Sequence, residues 1–420
     1  MPLDPVQPLL RTSRLVRFNE YALMQNRLSM AAAVPPLRSH RNVRVVLSTT
    51  TLLSFMSVSK AAAFALAEIG VAAFFVIGVA RSFIGEAAAW FVLGACVLSI
   101  FVRAIDIESW SFFIPGGLIG RTDRIFGPGV GNIATAAVLT ERLVFVALAC
   151  VLCGQYAVSF GADWMAKWSV TARLTVQELV IVGAVILIGL LWSRARLGLQ
   201  LPSTTVARAI WIAVLLILTT ILLGTIAVAK EHVPLLELSV ASLRERTANS
   251  TFLQNTLGLF WGFALVLPAL GGGDALARAA QELAPPRLKA LRRTSFLVGA
   301  VVFILTVFSS FLFVALVPSD QAGFWAATPL SGLAQHVFLP IWARGLMTLP
   351  ILAAALALLI PAAHGALEDA EQLLRRLSTE RVLPPQLVRT DPSGRTPANS
   401  INVAAAAAIL VTFASGAQIG

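Results

Sequence analysis

An apolar segment from Thr251 to Val266 runs into Leu267-Pro-Ala-Leu-Gly-Gly-Gly-Asp274, a stretch that no regular helix crosses. Pro268 lacks a backbone donor, and Gly271, Gly272 and Gly273 carry the largest entropic penalty of any residue in a helix, so the helix must end there. Asp274 is a good N-cap and Ala275 to Leu283 have high helix propensity. The chain therefore restarts as a second half-helix and stops at Pro285-Pro286. The apolar lead-in puts this interruption at membrane depth, where freed backbone groups are tolerated only if they line a cavity or meet protein. Ala269, Gly271, Gly272, Gly273 and Asp274 thus form a candidate solute site. The N–H groups of the restarting helix can hold an anionic group, and the carbonyls that end the first half can coordinate a cation. The plainer alternative is that the glycines end a short helix at the membrane surface, with Asp274 as a simple cap.

Composition supports the membrane setting. Of 420 residues, 57% are hydrophobic and 13% charged, against about 25% charged in an ordinary soluble domain. The fold class is an all-α polytopic membrane protein. The net charge of +11 does not indicate a nucleic-acid partner, because the basic residues sit in connections between apolar runs and so set membrane orientation. Cys96, Cys150 and Cys153 all lie in apolar runs and read as small buried hydrophobes. The histidines, at positions 40, 232, 336 and 364, have no ligand spacing, and no HExxH, Walker or GxSxG pattern occurs. An enzyme is not expected, and no metal or cofactor is implied. The first forty residues lack the apolar core and cleavage site of a signal peptide.

Taken in order, residues 1–42 form a basic arm carrying Arg11, Arg14, Arg17, Arg27, Arg38 and Arg41. By the positive-inside rule this arm is cytoplasmic, either lying in part on anionic headgroups or disordered. From Val43 to Ala80 the chain is apolar for too long to be one span and too short for two with a loop. A broken helix resolves this, its polar middle carrying Ser54, Ser57, Ser59 and Lys60. A lone ammonium at that depth is costly and functional by default, its alternatives being a partner acid such as Glu68, Glu141 or Asp274, or snorkelling. Further spans run from about Glu86 to Ile107, Gly131 to Val158, Val176 to Trp192 and Thr204 to Val228. Thr204 and Thr205 at the start of the last can offer hydroxyl ligands, or satisfy their own preceding carbonyls. After the interrupted sixth span come about Phe296 to Val317, Leu346 to Leu367 with a polar extension through Arg376, and Ile401 to Ala414. Glu141 with Arg142 reads as an ion pair or interface charges near the membrane edge, and Arg103, Asp106 and Glu108 as a gate or ion-pair cluster. Nine spans result, the first and sixth broken. That separation is what two five-helix inverted repeats produce, about 43–229 and 251–420, with a site between the two breaks.

On these residues the chain resembles the amino acid–polyamine–organocation (APC) superfamily of secondary transporters. Gly272-Gly-Asp274 followed by an Ala-rich helix and Gln281-Glu282 is similar to that family's sixth span. Phe113-Ile-Pro115-Gly116-Gly117 with Phe126-Gly127-Pro128 is similar to its turn after the second span. Asp369 to Leu374 with Leu383-Pro384-Pro385 resembles its segment after the eighth. The likeness covers roughly Val43 to Ala414. It implies a LeuT-like five-plus-five inverted-repeat fold in a cell membrane, moving an amino acid, polyamine or cation by alternating access, coupled to ions or protons. Lys60, Thr204 and Thr205 are then the candidate coupling residues. The chain departs from the family where Ser54, Ser57 and Ser59 replace a Gly-x-Gly break, and where nine spans stand for at least ten. A potassium-importing branch is also similar, although Ser48-Thr49-Thr50 lacks that branch's acid. The alternative to a carrier is a receptor or sensor on a transporter scaffold.

Overall fold

The computed structural model describes residues 56–110, 117–172, 175–199, 202–231, 252–271, 275–276, 283, 286–337, 341–388 and 398–416. The basic arm 1–42, Ser54, Gly272, Gly273, Asp274 and the Gln281-Glu282 pair lie outside them. Among the described residues the chain is helical, and its only β contact is one isolated parallel bridge between Met56 and Leu283. Six stretches are long and apolar enough to cross a membrane: Val58–Glu108, Pro128–Gly161, Val176–Arg196, Ser203–Lys230, Arg287–Leu316 and Gly345–Thr379. The protein is a polytopic all-α membrane protein.

The first of these stretches is two antiparallel passes. Ser57, in extended conformation, caps α1 (Val58–Ile69) by accepting the Lys60 N–H at 3.3 Å. A 3₁₀ segment, Gly70–Phe74, leads into α2 (Val76–Ile84). Gly85, at φ 76°, then ends α2 in a conformation that only glycine adopts without strain. α3 (Ala88–Trp110) turns back to lie against the later pair α9 (Arg287–Phe303) and α10 (Ser309–Leu316), and α2 lies against α10.

Between them in sequence come α4 (Gly117–Phe126), α5 (Pro128–Ala172), α6 (Val176–Arg196), α7 (Ser203–Glu231) and α8 (Phe252–Val266). α6 opens on a full capping box between Thr175 and Glu178 and closes with Arg194 and Arg196 in its last turn, which suits both helix ends. α8 runs into a 3₁₀ turn, Leu267–Leu270, with Pro268 in its first positions, so the helix ends where the proline requires. A π-turn, Ile304–Phe308, joins α9 to α10. Short α11 (Ser319–Ala322) and α12 (Pro329–His336) precede α13 (Ile341–Thr379), which continues through Pro350 and Pro361, and α14 (Ala398–Ala414) ends the described chain.

Two buried clusters hold these helices together. One joins α1, α2, α3, α7, α9, α10 and α12 to residues Ile351–Ala362 of α13. The other joins α5, α6 and α14 to Ala363–Leu374 of the same helix. Small residues dominate both seams: Ala61, Ala62, Ala63, Ala65 and Ala67 on α1, and Ala363, Ala366 and Ala370 against Ala404, Ala405 and Ala408. Lipid is as apolar as leucine, so close van der Waals approach of backbones at small side chains is what favours helix contact in a bilayer. The outward stripe of α7, Ile212, Leu215 and Leu222, is exposed while Ile210, Ala213 and Ile217 are buried. A few polar ties fix the register. Fully buried Tyr156 donates its hydroxyl to the Phe74 carbonyl at 2.8 Å, with its ring edge-on to Phe74. Arg81 donates to the Phe313 carbonyl at 2.8 Å, and Trp192 Nε1 to Asn402 Oδ1 at 2.7 Å.

Candidate functional site

The start of α1 and the chain beyond α8 meet. Met56 lies just before the α1 cap and pairs with Leu283, beyond the glycine break that follows α8. Met56 and buried Ala275 also line one cavity of about 370 Å³. Its remaining lining comes from Ala61, Phe64, Ala65, Ala67 and Glu68 on α1, and from Pro361, Ala362, Gly365, Glu368, Asp369 and Gln372 on α13. Gly70 lies against Leu358, whereas Met56 shares the cavity with Gln372, so α1 and α13 run antiparallel along it.

The residues singled out in sequence fall around this cavity in different ways. Ser57 is the α1 cap, and Ser59 is exposed, with its carbonyl accepting the Trp211 indole N–H at 3.2 Å. Lys60 sits in the first turn of α1, partly exposed, next to the lining residue Ala61. Ala269 belongs to the 3₁₀ turn, and exposed Gly271 ends it by donating to the Pro268 carbonyl at 3.2 Å. Thr204 and Thr205 are exposed in the first turn of α7, about two turns before Trp211. Ser54, Gly272, Gly273 and Asp274 lie outside the described residues. Arg103 is buried on α3 and packs over Gly299.

The charged lining was not apparent from sequence. Arg142 of α5 is 3% exposed and ion-pairs with Glu68, with its Nε 3.9 Å from Asp369 Oδ2. Neighbouring Glu141, at 4.0 Å, is 62% exposed. Arg142 therefore lies in the protein interior, in an ion-pair cluster that joins α1, α5 and α13. On α13, His364 Nε2 lies 3.4 Å from Glu368 Oε1. Glu371 accepts from Ser400 at 3.2 Å and pairs with Arg375 at 3.7 Å. Three carboxylates, Glu68, Glu368 and Asp369, thus line the cavity, with one guanidinium engaged by two of them. The available signal was Glu68 itself, an acid inside the apolar run that also holds Lys60, where an ionisable residue marks function by default.

The arrangement can hold a small cationic group among the carboxylates, next to the start of α1. It offers no nucleophile paired with a base. A family model described as amino acid permease matches residues 47–419. No curated protein matches the chain.

Proposed function

The chain belongs to the amino acid permease family, within the APC superfamily, and we propose that it is a secondary active transporter carrying a small amine-bearing solute, an amino acid or polyamine, through the cavity between α1 and α13. The observation that carries this reading is the cavity's position. It is lined by the start of α1 and by Ala275 beyond α8, and Met56 bridges to Leu283, which fits the two breaks read from the sequence. Paired interruptions at membrane depth are how inverted-repeat carriers expose backbone polar groups to a solute, so the same pairing supports a LeuT-like five-plus-five arrangement with nine spans in this chain. The cavity's volume of about 370 Å³ is at the small end of ligand sites, which run from roughly 300 to 1,000 Å³. Its excess of carboxylates favours an ammonium over an uncharged solute.

Transport then proceeds by alternating access, with the helices that carry the two interruptions rocking against the rest around the cavity. The basic arm keeps the N-terminus in the cytoplasm of a cell membrane. The test is uptake into proteoliposomes of a radiolabelled panel of amino acids, polyamines and rubidium as a potassium mimic. Uptake of an amine-bearing member is expected, and competition by unlabelled lysine or arginine should exceed that by neutral amino acids. Uptake of rubidium alone would replace this reading with cation import. Tight binding of a panel member without any flux would replace it with a receptor.

A further inference from the structure

α13 presents Glu368 to the cavity and His364 one turn earlier, behind it. The His364 side chain is 9% exposed and that of Glu368 45%, with Nε2 and Oε1 3.4 Å apart. The other ring nitrogen, Nδ1, is buried and has no hydrogen-bond partner. Only the Nε2 edge of the ring communicates with the cavity, and it does so through a carboxylate that water in the cavity can reach.

The charges facing the ring come from several elements. Arg194 of α6 acts on it electrostatically. Arg142 of α5 is committed to Glu68 of α1 and to Asp369. α14 contributes neutral Ser400 and Asn402, engaged with Glu371 and Trp192. On α13 itself, Glu371 is held by Ser400 and Arg375. α7 and α12 meet α13 through apolar residues. Glu368 is therefore the anion placed to pair with a charged ring, and Arg194 is the opposing cation.

We propose that His364 and Glu368 are the proton site that couples solute movement to a proton gradient. The proposal rests on the transport reading above and adds the coupling ion and its residues. Histidine is suited to this because its charge changes between about pH 5 and 8. With the ring's resident proton on Nδ1, a hydronium ion in the cavity protonates the Glu368 carboxylate, and that proton passes to Nε2. An imidazolium paired with a carboxylate remains. When the cavity faces the opposite side, the proton leaves to water through the same two atoms. One proton is taken up and one released, and no further reactant is needed.

Two experiments on the full chain test this. In proteoliposomes with an inward proton gradient of one pH unit, one proton per solute drives up to about tenfold accumulation of radiolabelled L-lysine. His364→Gln is expected to reduce the accumulation ratio to about one, while lysine exchange at equal pH on both sides persists. A His364→Gln protein that still accumulates lysine severalfold overturns the proposal. A wild type that exchanges lysine but ignores the gradient overturns the coupling alone, whereas one that exchanges no panel solute overturns the transport reading. The second measurement needs no transport. Nitrogen-15 histidine NMR, with the His364 signal assigned by its loss in His364→Gln, should show this ring taking up a second proton as the pH falls. Its midpoint should move in Glu368→Gln. A ring that does not titrate, or that titrates identically in Glu368→Gln, overturns the assignment.

Discussion

Replacing Arg142 by methionine keeps most of the apolar stem and removes the cation that Glu68 and Asp369 share. Glu68 is 11% exposed and Asp369 17%, so both carboxylates have given up most of their water. A unit-charge pair about 4 Å apart is worth about 4 kcal/mol at an effective dielectric constant near 20. Desolvation offsets much of that in the intact cluster. Deleting one partner leaves the desolvation uncompensated, typically at about 3–5 kcal/mol. Glu141 contributes little, because solvent screens it. At roughly 2 °C per kcal/mol for a long chain, Arg142→Met should lower the Tm of the detergent-solubilised protein by roughly 6–10 °C at pH 8. The deficit should shrink toward pH 5, since orphaned carboxylates are relieved by taking up protons. Glu68→Gln/Arg142→Met/Asp369→Asn, which neutralises the whole cluster, should recover most of the loss. A Tm for Arg142→Met within about 1 °C of wild type, or a triple variant no more stable than the single, would refute the view that Arg142 neutralises buried acids.

Three further outcomes follow from other contacts. An added Cβ at Gly365 meets nothing within 4 Å, and the residue lines the cavity, so Gly365→Leu should cut panel-solute uptake at least about tenfold by filling the site. Its size-exclusion profile should stay monodisperse. Tyr156→Phe leaves the buried Phe74 carbonyl without its donor, at about 1–3 kcal/mol, which thermal-shift melting reads as a drop of a few degrees. A Cβ at Gly78 would lie 1.9 Å from the Ala326 carbonyl oxygen, so Gly78→Ala must displace the 323–327 turn from α2. It should reduce the yield of folded protein in a fluorescence size-exclusion assay far more than Gly183→Ala, where an added Cβ meets nothing within 4 Å.

Local chemistry made two helix ends legible, because each is written in adjacent residues. Pro268 and Gly271 end one helix, and polar Ser57, four residues before an alanine run, caps the start of another. The span read at Val176 to Trp192 is α6, which ends at Arg196 with Arg194 and Arg196 in its last turn. The charged lining was not legible, because Glu68, Arg142 and Glu368–Asp369 converge only through tertiary packing. Arg142 and Glu68 are 74 positions apart, and no spacing rule connects them. Glu368 to Arg376 read as a polar helical extension of the eighth span, and α13 does continue through Pro350 and Pro361 to Thr379. What the sequence left open is that its antiparallel course along α1 brings that polar stretch to the start of α1. Periodicity within one helix carries no information about which partner it will face.

The location of the cavity has a physical cause in α13. Residues Ile351–Ala362 pack in one buried cluster and Ala363–Leu374 in the other. Pro361, at the junction, has no N–H for the carbonyl one turn earlier, and from there to Gln372 one face of the helix borders the cavity. Each cluster is sealed by alanine contacts, whose short reach permits close approach but adds little directional constraint. Where the two clusters adjoin, alanine on α1 faces Gly365 on α13, and side chains that small leave space between the backbones. The groups that fix register there are the charged ones: Glu68 from the α1 side, Arg142 and Asp369 from the other. The empty volume and the buried ion cluster are thus consequences of one arrangement. Small residues leave room for a solute, and the ion pair that crosses the boundary sets how far the two clusters stand apart.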